Sequence, residues 1–437
     1  MAIKWLVFRG ARLAAFGRWT TLGAFILVGA GMFQMPARAD GSAPGPRWWN
    51  DAVENALSNA GTNRSEIANA LNAEREDRRD GMAFLVENMP KADLRRLSSA
   101  FLLENTYLAY EGWESAPWRS QISKEMFLND VLPYSNVAET REPWRRNMRE
   151  IAAPLVKDCR TPAEAARRLN EKLFPLVKVK YSTRRKKADQ SPSESMKSGL
   201  ASCTGLSILL VDACRAVGVP ARLAGVKNWI DDRGNHTWVE VWDGQWHFAG
   251  AAEPDPNGLD HGWFQHDASL ADQNSPEHAV YAVSFARTQT PFPAAFGHDQ
   301  EFVSAVNVTE RYAAPKAAVK TGQTRLMVKV MDQVGGKRVT AQVRVLESGR
   351  TAPLGEGATR DERFDTNDLL SFALASGGKY TLDVTCGSRQ LRREIVLGAS
   401  VQELATVYVN QPESSVLPGC AMPAAVVPAV FGGADKK

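Results

Sequence analysis

The chain has 437 residues, 44% of them hydrophobic and 23% charged, with a formal net charge of +4. That length exceeds one ordinary core and predicts two or three domains. The composition is that of a globular protein without low-complexity tracts.

Residues 1–39 stand apart. Lys4, Arg9, Arg12 and Arg18 make a basic start with no acid, an apolar run follows from Leu22 to Phe33, and Ala37-Arg38-Ala39 precedes Asp40. This order predicts a cleaved secretory signal, and hence a secreted or periplasmic protein with no stable membrane anchor after cleavage. The apolar run is short for a hydrocarbon core of about 30 Å. The segment carries five basic residues, so the remainder has a net charge of −1 rather than +4. A nearly neutral chain excludes an electrostatically driven nucleic-acid partner. The one basic cluster, Arg184-Arg185-Lys186-Lys187, has no interleaved aromatics and reads as a solvated loop.

From 40 to 175 the pattern predicts a helical region. Ser65 to Leu71 and Asp93 to Leu97 place apolar residues at helical spacing, with Asp93 as the expected N-cap of the second. Thr161 with Pro162 marks another helix start.

The next stretch is the informative one. Cys203 follows the flexible Ser198-Gly199-Leu200-Ala201-Ser202 and precedes a helical stripe of Leu206, Leu209, Leu210, Ala213, Cys214 and Val217, ended by Gly218 and Pro220. Cys203 is therefore expected at a helix N-terminus, where unpaired N–H groups favour a thiolate and can hold an oxyanion. Cys214, on the buried stripe, reads as a core residue. Ala221 to Val226 predicts a strand, His236 to Trp242 a second, and Asp243-Gly244 a two-residue hairpin returning as Gln245 to Phe248. His236 thus opens a strand that can face Cys203. A base beside a thiol needs an orienting group, and Glu253 or Asp255 follows the second hairpin strand. Glu253 is preferred because it lies nearer the strand.

Weighed singly, a cysteine at a helix start or a histidine at a strand start is more often structural than catalytic; their ordered combination raises the signal. Trp229, Trp238, Trp242, Trp246 and Trp263 include candidate cleft residues, Trp238 foremost, although packing explains at least half of them. His247 reads as structural and His261 as a minor cleft candidate. Gln190, thirteen residues before Cys203, is a candidate oxyanion-hole side chain. The Cys and His spacing lacks the close pairs of a zinc site, so no metal is expected.

The region 265–320 has few periodic signals and predicts a partly irregular extension. Short β segments then recur at Arg325–Met331, Val339–Leu346, Tyr380–Val384 and Ala405–Val409. They predict a small antiparallel β-sandwich over 321–412, a kind of module that usually binds or spaces. Residues 413–437 read as a loose tail. Five cysteines occur, an odd count that leaves at least one thiol unpaired, and Cys386 with Cys420 is a conceivable pair.

Gly199…Cys203, Gly218-Val219-Pro220-Ala221-Arg222, His236-Thr237-Trp238-Val239-Glu240-Val241 and Trp246 together resemble the core of the transglutaminase-like superfamily. Gly250-Ala251-Ala252-Glu253-Pro254 and Gly262-Trp263-Phe264 resemble a bacterial, exported branch of it, as does Phe127-Leu128…Trp144-Arg145 upstream. The resemblance implies an α+β fold with a papain-like Cys-His-acid core over 176–320. It implies Cys203 attacking a glutamine amide or peptide bond of a protein or peptide substrate, and a thioester resolved by amine or water. Family members usually carry Asp-Pro after the Trp strand; here Glu253-Pro254 follows an insertion, so the orienting residue departs from the pattern. No EF-hand-like loop occurs, and no cofactor is expected. The rival expectation is an inactive binding or adhesion protein that keeps the fold. The intact Cys203 and His236 pair favours the enzyme.

Overall fold

The structure, a computed structural model, describes residues 47–292, 303–313, 322–347 and 350–410. The expected signal segment, the expected tail and Cys420 lie outside the described residues.

The helical region holds α1 (Asp51–Asn59), α2 (Arg64–Ala73), α3 (Arg79–Asn88), α4 (Lys91–Leu94), α5 (Ser99–Glu114), α6 (Lys124–Asp130), α7 (Trp144–Val156) and α8 (Pro162–Val177). Local chemistry sets several starts. Asn50 accepts the Val53 N–H at 2.9 Å, and Thr161 accepts the Glu164 N–H at 3.2 Å with Pro162 in the first position. Asp93 departs from expectation: it lies inside α4 rather than at its cap. Its buried carboxylate accepts from the Tyr134 hydroxyl at 3.0 Å and pairs with Arg141 and Arg96, both at 2.8 Å. That cluster occupies the oxygens that capping would have used.

A short parallel pair, β1 (Lys180–Tyr181) with β2 (Leu200–Ala201), flanks α9 (Pro192–Ser198) and leads into α10 (Cys203–Ala216). Ser202 caps α10 by accepting the Gly205 N–H at 3.1 Å, and Gly218, in the left-handed region at φ 76°, lets the chain turn away after it. A Cβ on Gly218 would meet the Gly112 carbonyl at 2.7 Å, so glycine also permits close approach to α5.

The sequence predicts one apolar stripe on α10, yet every residue from Thr204 to Ala216 is buried. The helix packs on α7, α8 and the central sheet, so its polar side is enclosed too. Two of the buried charged groups meet partners there. Asp212 accepts from Asn136 Nδ2 at 2.9 Å, and Arg215 donates to the carbonyls of Asp130, Ser135 and Ala221.

The central sheet has the order β5-β4-β3-β6-β7, all antiparallel: β3 (Ala221–Val226), β4 (His236–Trp242), β5 (Trp246–Ala249), β6 (Val280–Val283) and β7 (Ala305–Asn307). The β4–β5 turn takes three residues rather than two, because Trp242 pairs with Trp246 and Gln245 stays in the loop. Strands β6 and β7, with α11 (Gln265–Ser269) and α12 (Thr309–Ala313), occupy the region expected to be partly irregular. All four residues of Val280–Val283 are buried, so no polar alternation announces the strand.

The C-terminal strands are β8 (Gln323–Met331), β9 (Gln342–Glu347), β10 (Gly355–Ala358), β11 (Leu370–Ala375), β12 (Lys379–Cys386), β13 (Arg389–Val396) and β14 (Gln402–Tyr408). They form a four-stranded sheet, β10-β9-β12-β13, and a three-stranded sheet, β11-β8-β14. Leu326, Val328, Val330, Val343, Val345, Leu382 and Val384 belong to one core that both sheets share. One pairing is parallel, β14 with β8, because the chain crosses from β13 in one sheet to β14 in the other. Among the described residues no helix is long and apolar enough to cross a membrane.

Candidate active site

Two hydrogen bonds bring the start of α10 against the start of β4. Thr204 Oγ1 and Thr237 Oγ1 lie 3.0 Å apart, and Ser207 Oγ donates to the Thr237 carbonyl at 3.4 Å. Thr204 follows Cys203 and Thr237 follows His236, so these contacts set the thiol and the imidazole side by side. Gly225, paired with Thr237, has no side chain to intrude: a Cβ there would meet the His236 carbonyl at 2.7 Å.

The third group comes from the C-terminal strands. Asp365, on the connection between β10 and β11, places Oδ2 3.6 Å from His236 Nδ1, an ion-pair distance longer than a good hydrogen bond. Its other oxygen, Oδ1, accepts the Asn367 N–H at 2.9 Å. Ligand-type atoms of Cys203, His236 and Asp365 all lie within 4.8 Å of one another. His236 and Asp365 are buried while Cys203 is partly exposed.

The electrostatics agree with this order. Burial alone would lower the His236 pKa, but the Asp365 carboxylate and the Cys203 sulfur outweigh it and raise the group well above its ordinary range. Burial pushes Asp365 up, but His236, the Asn367 N–H and Arg338 hold its carboxyl below the usual carboxylate range. Aromatic rings close the surroundings: Trp263, Phe264, Trp238 and Trp229 have centroids 4.6, 5.2, 5.9 and 6.1 Å from the imidazole.

Glu253, the orienting residue expected from sequence, is half-buried near His236 and faces Trp263, accepting its Nε1–H at 2.9 Å. Burial drives its carboxyl up to about 7, with His236 pulling the other way. Near neutrality Glu253 is therefore partly protonated, whereas Asp365 is ionised and lies against Nδ1. Asp255, the other sequence candidate, accepts from Asn257 instead.

The two expected substrate-binding side chains are both buried. Trp238 is wholly buried, and its Nε1 donates to the Tyr312 hydroxyl at 2.7 Å, so it belongs to the core. Gln190 is buried and commits its Nε2 to Ser198 Oγ and the Leu200 carbonyl, both at 3.1 Å, bracing the turn before α10. His247 pairs with Asp260 at 2.6 Å, consistent with a structural part. Cys214 is fully buried and its thiol is pushed up to about 12, leaving it inert beside Cys203. Cys159, Cys203, Cys214 and Cys386 are free thiols.

Sequence reasoning missed Asp365. The local signal was Asp365-Thr366-Asn367-Asp368, a polar turn between strands, which is indistinguishable in sequence from a solvated loop.

The family comparison agrees with the fold of the core. Residues 149–268 match the family model described as transglutaminase-like superfamily. A solved chain from Cytophaga hutchinsonii, described as a "Putative Cysteine Protease", is similar at 17% identity over 37% of this chain and 58% of that one, with a TM-score of 0.23. No curated protein matches. Asp365 lies well beyond the matched segment, which contains both Cys203 and His236. Residues 149–268 of this chain carry a core of the transglutaminase-like superfamily.

Proposed function

We propose that the chain is a thiol acyl-transfer enzyme acting on amide groups of proteins or peptides, with Cys203 as nucleophile, His236 as base and Asp365 as orienting acid. The observation that carries this reading is the convergence of these three side chains from α10, β4 and the β10–β11 connection to within 4.8 Å.

The chemistry follows from the positions. With Asp365 against the imidazole and Cys203 close by, His236 is the group placed to carry the proton. The imidazole holds the proton given up by the thiol while Sγ attacks the amide carbonyl carbon, and the carbonyl π pair moves onto oxygen. The free N–H groups at the start of α10 hold that oxyanion. Collapse expels the amine, which leaves with the proton from His236, and a thioester to Cys203 remains. A second nucleophile, water or an amine, loses its proton to His236 and displaces the sulfur. The partly exposed Cys203 gives a macromolecular substrate access.

Incubation with a glutamine-containing peptide and a labelled primary amine tests the reading. Amine incorporation identifies cross-linking; ammonia or a cleaved peptide identifies hydrolysis. Absence of all three, with alkylation of Cys203 unchanged by His236→Ala, refutes the enzyme and favours an inactive binding protein.

The basic, apolar and Ala37-Arg38-Ala39 order of residues 1–39 supports an exported enzyme. N-terminal sequencing of the protein recovered outside the cytoplasm tests this, with Asp40 expected first. A product retaining Met1 refutes it.

A further inference from the structure

We infer that Arg338 is a positioning residue for this site: it holds the segment that presents Asp365 to His236, which makes reactivity at Cys203 depend on the docked C-terminal strands. The inference rests on the triad proposed above and adds how its third member is held.

Arg338 lies between β8 and β9 and is largely buried. Its guanidinium is spent on backbone carbonyls of the Asp365 segment. One terminal nitrogen donates to Asp365 at 2.9 Å, Thr366 at 3.4 Å and Asp368 at 3.5 Å; the other donates to Asp361 at 2.9 Å and Phe364 at 2.6 Å. Five carbonyls thus converge on one planar cation, a geometry a lysine ammonium cannot span. The convergence curls residues 361–368 and turns Asp365 inward. The Asn367 N–H then occupies Oδ1, and Oδ2 is left for the imidazole.

The curled segment is also tied to the core at the site itself. The Thr366 N–H donates to the Tyr181 hydroxyl at 3.3 Å. Asn367 Nδ2 donates to the carbonyl of Asn235, the residue before His236, at 3.1 Å, and Arg233 donates to the Asn367 carbonyl at 3.3 Å. Beneath it, the buried carboxylate of Asp267 pairs with Arg233 of the core at 2.9 Å and with Arg325 of β8 at 2.8 Å. The Asp365 carboxylate is therefore aimed from the β strands but registered on the backbone beside His236. A segment that lost its shape would withdraw the charge without disturbing Cys203 or His236 directly.

The test is a double-mutant cycle in the full chain, with Arg338→Ala and Asp365→Asn made singly and together. The reading is the second-order rate of iodoacetamide alkylation at Cys203, followed peptide by peptide across acidic to alkaline pH. If Arg338 acts through Asp365, each single variant loses the acid-side reactivity by about tenfold, and the double variant loses no more than the Asp365→Asn single. Where Arg338→Ala unfolds the strands, Arg338→Lys carries the same cycle, with a smaller loss that again vanishes in the Asp365→Asn background. Losses that multiply to about a hundredfold in the double variant, or an Arg338 variant with the wild-type pH profile, overturn the inference. If instead the wild-type protein reacts no differently from its His236→Ala variant, the proposed function fails first.

Discussion

Replacing Asp365 by Asn is the sharpest probe of the site. The substitution keeps shape and a hydrogen-bonding oxygen but removes the charge 3.6 Å from His236 Nδ1. At an effective dielectric of about 20, two unit charges at that separation attract by ~4.6 kcal/mol. If protein and solvent relaxation leave half of it, ~2.3 kcal/mol is lost, equivalent to about a 50-fold fall in kcat/KM. The sign of the imidazole shift follows from its causes. Burial lowers the His236 pKa and Asp365 is the largest of the causes that raise it, so the variant drives the group down. The assay is an NMR titration of His236 beside a pH profile of the amide reaction, with the acid limb moving in step with the imidazole. Glu253→Gln is the control. It retains an acceptor for Trp263 and removes a carboxyl whose pKa of about 7 leaves it partly neutral already, so its effect is several-fold smaller than that of Asp365→Asn at neutral pH. A His236 pKa that stays raised in Asp365→Asn, or a larger effect from Glu253→Gln, refutes the assignment and returns the orienting role to Glu253.

Three further outcomes are expected. Cys203→Ala abolishes amide chemistry, while Cys214→Ala changes the rate less than twofold; rates measured on purified folded variants check both, since Cys214 is wholly buried. The buried pair also shapes stability against pH. His236, raised, contributes fully below about 6.5 and loses its contribution as pH rises through its folded value; Asp365, lowered, contributes fully above about 3.8 and loses it as pH falls through its own. The Tm difference between wild type and Asp365→Asn is therefore largest between these limits, and a difference independent of pH contradicts the coupling. Glu240, fully buried on β4, accepts from Arg222 at 2.8 Å and from the Tyr312 hydroxyl at 2.8 Å, and pairs with Arg311. Glu240→Ala strands two buried or half-buried cations and costs about 3–5 kcal/mol by denaturant unfolding; a loss below 1 kcal/mol shows that water replaces the carboxylate.

Much of the core was legible because its signals are local. Cys203 heads a helix whose cap, Ser202, and stop, Gly218, lie close in sequence to its ends, and His236 heads a strand followed by the Asp243-Gly244 turn. The enclosed polar side of α10 was not legible, since Asp212 and Arg215 look solvent-facing until helices α7 and α8 cover them. The same limit hid β6 and β7, whose few residues carry no period.

By itself, the order of residues determined a thiol at a helix start, an imidazole at a strand start and a β-rich C-terminal region, because capping, turn chemistry and periodicity act over a few residues. Tertiary structure alone decided which carboxylate faces the imidazole. Glu253 is nearer in the chain, but the Trp263 indole claims it, and Asp365 arrives from a distant loop held by the Arg338 guanidinium. Electrostatic pairing depends on distance through space and on burial, and a sequence specifies both only after the chain has folded.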